Sequence, residues 1–275
     1  MDFIEIIKTI IIGIVQGVTE WLPVSSTGHM ILVDELIRLN VTDEFMDMFL
    51  VVIQLASILA VVVLFFKKLN PFSPSKTQVE RKDTFVLWSK VLIACVPAAI
   101  IGLLLDDIIT ELFFNYITVA ITLILYGVIF IAFERRNRNR IFAVADLNSI
   151  TYRSALIIGM FQLLALIPGT SRSGATILGA MLIGTSRPVS AEFSFFLAIP
   201  VMFGASALRL LQFGFDFTGA ELTILLTGMV VAFIVSIFTI KLLLGYVKKR
   251  DFTVFGYYRI AIGLIVIGYF VLNAR

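Results

Sequence analysis

The sequence predicts an all-α polytopic membrane protein with an inverted-topology repeat, each half a re-entrant helix hairpin plus three transmembrane helices. Three observations predict it. Hydrophobic residues make up 59% of the 275 and charged residues 15%, against about 45–50% and about 25% in soluble domains. Six apolar runs are each about 20 residues long, the length that crosses a bilayer. Two further apolar regions are interrupted by Pro, Gly and hydroxyl residues, and they resemble each other. A mean hydropathy of +1.01 excludes a soluble enzyme, and the same composition excludes disorder. The reading is a single membrane domain over residues 1–275, with one repeat near 1–140 and the other near 150–275.

The elements follow in order. An interrupted region covers 3–40 and breaks at Pro23-Val24-Ser25-Ser26-Thr27-Gly28-His29. Pro23 is expected to end its first half-helix. Acidic Asp2 and Glu5, and the lack of a small-residue cleavage site, argue against a signal peptide here. Spans are expected at 45–66, 85–105 and 109–133. A second interrupted region covers 153–186 and breaks at Pro168-Gly169-Thr170-Ser171-Arg172-Ser173-Gly174. Its arms, about 15 and 12 residues, are too short to span. Spans at 189–212, 220–244 and 254–272 complete the chain. Gly102, Gly127, Gly179, Gly184 and Gly204 read as helix-packing contacts, and Glu192 as structural.

Charge sets the orientation. Lys67, Lys68, Lys76, Arg81, Lys82, Arg135, Arg136, Arg138, Arg140, Lys248, Lys249 and Arg250 are 12 of the 22 basic residues, and all fall on one side of a six-span layout. Asp2, Glu5, Asp34, Glu35, Asp43, Glu44, Asp106, Asp107 and Asp216 fall on the other, with Arg38 and Arg275 as basic exceptions. The positive-inside rule makes the basic side cytoplasmic and puts both termini outside. The net charge of +3 reflects these loops and not nucleic-acid binding. Cys95 and His29 are the only Cys and His, so neither an intrachain disulfide nor a His/Cys zinc site can be built.

The two interrupted regions align at an offset of 146: Gly13 with Gly159, Gln16 with Gln162, Gly28 with Gly174. Pro23 and Pro168 slip by one residue, and Glu44-Phe45 is echoed weakly by Glu192-Phe193. Each half is a broken hairpin plus three spans, and three is odd, so the second half enters upside down.

Broken backbone at membrane depth is tolerated only where it is buried in protein or faces a wet cavity. The breaks carry Ser25, Ser26, Thr27 and His29 in one half, and Thr170, Ser171, Arg172, Ser173 and Thr176 in the other. Arg172 at that depth costs about 2.5–3.5 kcal/mol and calls for an anion, either Glu20 or a ligand. Gln16 and Glu20, four apart, share a helix face. Helix N-termini, hydroxyls, Gly169 and an arginine together make an oxyanion nest suited to phosphate. A carboxylate beside it points to a divalent cation or to acid/base work. Taken singly, each Ser, Thr or His has a plain structural reading; only the constellation points to chemistry.

At these residues the chain resembles a known family. Gln16-Gly17-Val18-Thr19-Glu20 followed by Leu22-Pro23-Val24-Ser25-Ser26-Thr27-Gly28-His29 is similar to its first signature. Pro168-Gly169-Thr170-Ser171-Arg172-Ser173-Gly174-Ala175-Thr176 is similar to its second. The family is undecaprenyl-diphosphate phosphatase of the bacitracin-resistance type, and the resemblance covers nearly the whole chain. It implies hydrolysis of undecaprenyl diphosphate to the monophosphate and inorganic phosphate, recycling the lipid carrier of cell-wall synthesis. It also implies a plasma-membrane site opening to the outer face and a divalent cation, Mg or Ca. By position, Ser26 would be the nucleophile, Arg172 the phosphate clamp, Glu20 the acid/base or metal-associated carboxylate, and His29 base or nucleophile. Ser25, Thr27, Gly169, Ser171, Ser173, Thr176 and Gln16 would contact phosphate. Gln16 stands where many members have Glu, so a second metal carboxylate is missing at that position. A homodimer is a further expectation.

The rival reading is a transporter or flippase of a phosphorylated polyprenyl lipid, since inverted repeats with midplane sites are more often transporters. The Ser-Ser-Thr-Gly-His loop opposite the Ser-Arg-Ser loop separates the two, because a transporter needs no nucleophile.

Overall fold

A computed structural model describes residues 3–273, so Asp2 and Arg275 lie outside the described residues. The elements are α1 (Phe3–Thr19), α2 (Ser26–Leu36), α3 (Asp43–Leu64), α4 (Phe66–Leu69), α5 (Gln78–Phe113), α6 (Tyr116–Arg136), α7 (Tyr152–Gln162), α8 (Arg172–Leu182), α9 (Arg187–Phe213), α10 (Gly219–Val247) and α11 (Thr253–Asn273). A 3₁₀ turn over Leu163–Leu166 extends α7. Among the described residues there is no strand, only an isolated bridge between Val144 and Thr185. Among the described residues, six helices, α3, α5, α6, α9, α10 and α11, are long and apolar enough to cross a membrane.

The helix limits follow local chemistry. Thr42 caps α3 through Phe45 N, Asn115 caps α6 through Thr118 N, and Thr151 caps α7 through Ser154 N. Thr218 and Glu221 form a reciprocal capping box that starts α10. Thr77 and Glu80 bond in the same way ahead of α5. Two expected boundaries are corrected. The first concerns the expected spans 85–105 and 109–133. The helix does not stop at Asp106-Asp107 but runs on to Phe113, carrying Pro97 inside it, and α6 begins only after Asn115. Charged residues near a helix end keep their backbone bonds, so they do not mark a break. In the second case α1 ends at Thr19, four residues before Pro23, with one last turn closed by Glu20 N to Gln16 O at 3.1 Å.

The half-helices are short. At 1.5 Å per residue, the 11 residues of α2, α7 and α8 reach about 16 Å each, half the hydrocarbon thickness. Each broken pair returns toward its starting end. Lys8 Nζ donates to Arg38 O, and Asn40 N donates to Glu5, joining the start of α1 to the end of α2. The segment between α6 and α7 holds the end of the other pair: Arg140 reaches Leu182 O, and Val144 N donates to Gly184 O at 3.1 Å.

Small residues bring the helices together. A methyl group on Gly13 would lie 3.0 Å from Gly228 O, and one on Gly17 2.8 Å from Ala232 O, so α1 packs backbone to backbone on α10. Gly159 does the same for α7 on α5, where a methyl would lie 2.2 Å from Ala94 O. Gly127 and Gly256 face each other between α6 and α11. The glycine expectation needs correction. Gly127 and Gly179 are packing contacts, but Gly204 faces open space, Gly102 has only ordinary contact, and Gly184 serves a turn with φ +99°. Hydropathy shows that a glycine is in a helix but not which way it faces.

Ion pairs tie one end of the bundle. Glu134, buried at the end of α6, accepts from Arg187 of α9 and from Phe252 N ahead of α11. Lys68 pairs with Glu192 at 2.6 Å, which gives Glu192 the structural role expected of it.

Candidate functional site

Both breaks fold in the same unusual way. Ser25 and Ser171 are the only non-glycine residues with positive φ among those described, and both have φ 73°. Such a conformation costs about 1–3 kcal/mol unless its surroundings hold it. Each serine caps the helix it precedes: Ser25 Oγ accepts from Gly28 N at 3.3 Å, and Ser171 Oγ from Gly174 N at 3.1 Å. The first helical residues are then Ser26 of α2 and Arg172 of α8. Their free N–H groups and positive dipole ends make two anion-attracting helix starts.

The side chains meet at Glu20. Its Oε2 accepts from Ser26 Oγ at 3.1 Å and from Gln16 Nε2 at 3.0 Å. Its Oε1 accepts from Arg172 Nη2 at 3.1 Å. The carboxylate and guanidinium are 3% and 11% exposed. Burial at that level makes the pair a poor source of net stability but makes removal of either partner costly. A second-half arginine is thus brought onto the first-half carboxylate that faces Ser26.

Other groups hold this arrangement. Arg172 Nη1 donates to Ser194 O at 2.9 Å, while its buried Nε has no protein partner and remains a free donor. Thr176 Oγ1 bonds Arg172 O at 2.9 Å and Ser194 Oγ at 2.6 Å, inside the protein. Ser173 Oγ reaches Leu22 O at 3.2 Å and Ser171 Oγ at 3.1 Å, which stitches the two breaks together. Gly169 takes φ +85°, and a methyl on it would lie 2.1 Å from Thr122 Oγ1. Thr170 is fully buried, and Thr27 is half-buried at the second position of α2. His29 is buried one turn into α2, with Nδ1 2.7 Å from Ser25 O and Nε2 2.9 Å from Tyr258 Oη.

Sequence reasoning missed the central clamp. Arg259, fully buried on α11, donates to Pro23 O at 3.0 Å, Gly169 O at 2.8 Å and Thr170 O at 2.9 Å. It thereby joins both breaks to one helix, with its guanidinium 5.5 Å from the Tyr126 ring centroid. The signal was available: an arginine inside the expected span 254–272 is costly unless something binds it. Ser194 and Tyr258 had no such signal, since each is an ordinary residue in an apolar run.

The fit to a divalent cation turns on oxygen donors. No group of three His, Cys, Asp or Glu comes together among the described residues. Glu20 offers one carboxylate, and Gln16 Oε1 beside it is buried without a partner. One carboxylate and an amide oxygen suit Mg or Ca only where phosphate oxygens complete the shell, which is the usual way Mg is held.

The chain is similar to known proteins over nearly its whole length. "Undecaprenyl-diphosphatase" of Acetivibrio thermocellus is 64% identical over 267 residues, covering 97% of this chain and 98% of the relative. Proteins of the same name from Lachnoclostridium phytofermentans and Enterococcus faecalis are 62% and 59% identical over 272 and 276 residues, covering 99% of this chain in each case and 99% and 100% of the relatives. The family profile described as bacitracin resistance protein BacA matches residues 9–265, which span both breaks and all but the last turns of α11. With both motifs at one site and the match running nearly end to end, the chain belongs to the bacitracin resistance protein BacA family.

Proposed function

We propose that this chain is an undecaprenyl-diphosphatase, an integral membrane hydrolase that takes undecaprenyl diphosphate to undecaprenyl phosphate and inorganic phosphate. The observation that carries the reading is the Ser26–Glu20–Arg172 constellation, in which a hydroxyl faces a carboxylate already ion-paired with a guanidinium from the other break. The names of the relatives supply the substrate. The product returns the lipid carrier to cell-wall synthesis.

The terminal phosphate enters between the helix starts at Ser26 and Arg172. Arg172 offers its unpartnered Nε and turns from Glu20 toward the phosphate oxygens. Ser26 Oγ attacks the terminal phosphorus while Glu20 Oε2 takes its proton, and the bond to the bridging oxygen breaks, releasing undecaprenyl phosphate. Water then attacks the phosphoserine, Oγ leaves, and the proton held by Glu20 returns to it. The N–H groups and Arg172 stabilise the equatorial oxygens throughout. Ser25, Ser171, Ser173, Thr176 and Gly169 fix the two turns, and Thr27 and Gln16 sit beside the phosphate. A bound Mg or Ca would be held by Glu20, Gln16 Oε1 and the diphosphate, and it would neutralise phosphate charge.

The architecture belongs to the same reading. The chain is one membrane domain of two inverted repeats, each a re-entrant hairpin plus three spans. Packing supports this: α1 lies on α10 as α7 lies on α5, while α3 meets α9 and α6 meets α11, which is the exchange a two-fold axis in the membrane plane produces. The positive-inside rule puts the basic loops in the cytoplasm, the termini outside and the site open to the outer face. The prenyl tail lies among apolar spans. Self-association as a homodimer is supported by open glycine surface at Gly204 and Gly245.

The test is phosphate release by the purified protein from a long-chain polyprenyl diphosphate in detergent. Turnover lost in Ser26→Ala and in Arg172→Ala supports the enzyme. Lipid binding or transfer between leaflets without phosphate release sinks it in favour of a transporter.

A further inference from the structure

We infer that Tyr258 is a positioning residue that holds His29 with Nδ1 protonated and Nε2 accepting, so that the imidazole braces the Ser25–Ser26 turn and is not the base for Ser26. The tautomer follows from its partners. Ser25 O, 2.7 Å from Nδ1, is a carbonyl and can only accept, so Nδ1 carries the proton. In the neutral ring Nε2 is then a lone pair, and at 2.9 Å it faces the Tyr258 hydroxyl, which donates to it. The two rings stack nearly parallel, 5° apart with centroids at 5.6 Å, which fixes the imidazole plane.

Both nitrogens are therefore committed away from Ser26, whose hydroxyl already faces Glu20 Oε2. What the His29 proton does is local. It holds the carbonyl of Ser25, the residue forced to φ 73° immediately before the nucleophile. The second break makes the same turn without a histidine, Ala175 standing at the equivalent place, and there the first helical residue is Arg172. The brace belongs only to the turn that presents a hydroxyl. Tyr258 keeps its place because the adjacent Arg259 is locked to Pro23, Gly169 and Thr170. The inference rests on the phosphatase reading only for its statement about the base; the tautomer stands on geometry.

His29 is the only histidine in the chain, so the full-length protein labelled with ¹⁵N-histidine reports one ring. The expected spectrum shows a protonated Nδ1 and an unprotonated Nε2. Tyr258 is 44% exposed, so Tyr258→Phe leaves the fold intact. In that variant the Nε2 resonance moves, and kcat falls about five- to tenfold, the worth of one neutral hydrogen bond, with KM within about twofold. His29→Asn keeps an amide donor where Nδ1–H sits, so it retains turnover to within about tenfold of the native chain, whereas His29→Ala loses about 100-fold or more. A native Nε2–H tautomer overturns the inference, as does an Nε2 resonance unmoved by Tyr258→Phe, or Asn as inactive as Ala. If the native protein releases no phosphate at all, the phosphatase reading falls, while the nitrogen spectrum still decides the tautomer.

Discussion

Replacing Arg259 with methionine keeps a long unbranched side chain inside α11 but removes every N–H donor from the junction of the two breaks. Three carbonyls, those of Pro23, Gly169 and Thr170, then lose donors at 2.8–3.0 Å in a fully buried place. Each bond to a charged group contributes about 1.5–3 kcal/mol, so three set a ceiling of about 9 kcal/mol. Against this, the guanidinium's desolvation penalty, several kcal/mol for a buried ion, disappears with the charge. The expected net loss is about 2–5 kcal/mol, a fall of roughly 4–20 °C in thermal midpoint. Turnover should fall further than stability does, by about 100-fold or more in the molecules still folded, because both helix starts shift relative to each other. Arg259→Lys keeps the charge but as a compact point donor that cannot fork to two segments, and should fall between. The assays are a thermal scan in detergent and phosphate release at a temperature where each variant is folded. An Arg259→Met protein with the native midpoint and turnover within twofold would refute the clamp.

Three further outcomes are expected. Glu20→Gln keeps the hydrogen-bonding shape but strands Arg172 as a buried cation; stability should drop by about 3–5 kcal/mol and phosphate release by about 100-fold or more, read by denaturation and steady-state kinetics. Glu134→Gln should show a similar stability loss with near-native turnover per folded molecule, since its partners Arg187 and Phe252 N lie away from the site. Gly169→Ala must fit a methyl 2.1 Å from Thr122 Oγ1 at φ +85° and should lose about 2–5 kcal/mol, whereas Gly204→Ala, with nothing within 4 Å, should leave the midpoint unchanged or slightly higher.

Particular residues show how far the sequence could be read. Gln16 and Glu20 were placed on one face by helical spacing alone, and they bond at 3.0 Å. Ser26 and Arg172 were each legible as polar residues at a break where apolar continuity fails, and each begins a helix. The end of α5 at Phe113 is not legible in the sequence, because charge density marks water and not the loss of backbone bonds. Arg259 stands in a run that stays hydrophobic around it, and only the fold shows the acceptors that a guanidinium at that depth needs.

The sequence by itself determined the solvent and the parts: 59% apolar residues require a membrane, six runs set the spans, and two failures of the apolar pattern mark the candidate site. Hydrophobicity and chain breaks are properties of neighbours along the chain, so a sequence displays them. Only the tertiary structure decided the partners. Glu20 with Arg172 lies 152 residues apart, His29 with Tyr258 229 apart, and Arg259 with Pro23 236 apart. Those pairings depend on how glycine-lined helices stack and on which carbonyls the broken turns leave bare. They decide which groups flank the two ring nitrogens of His29 and which carboxylate faces Ser26.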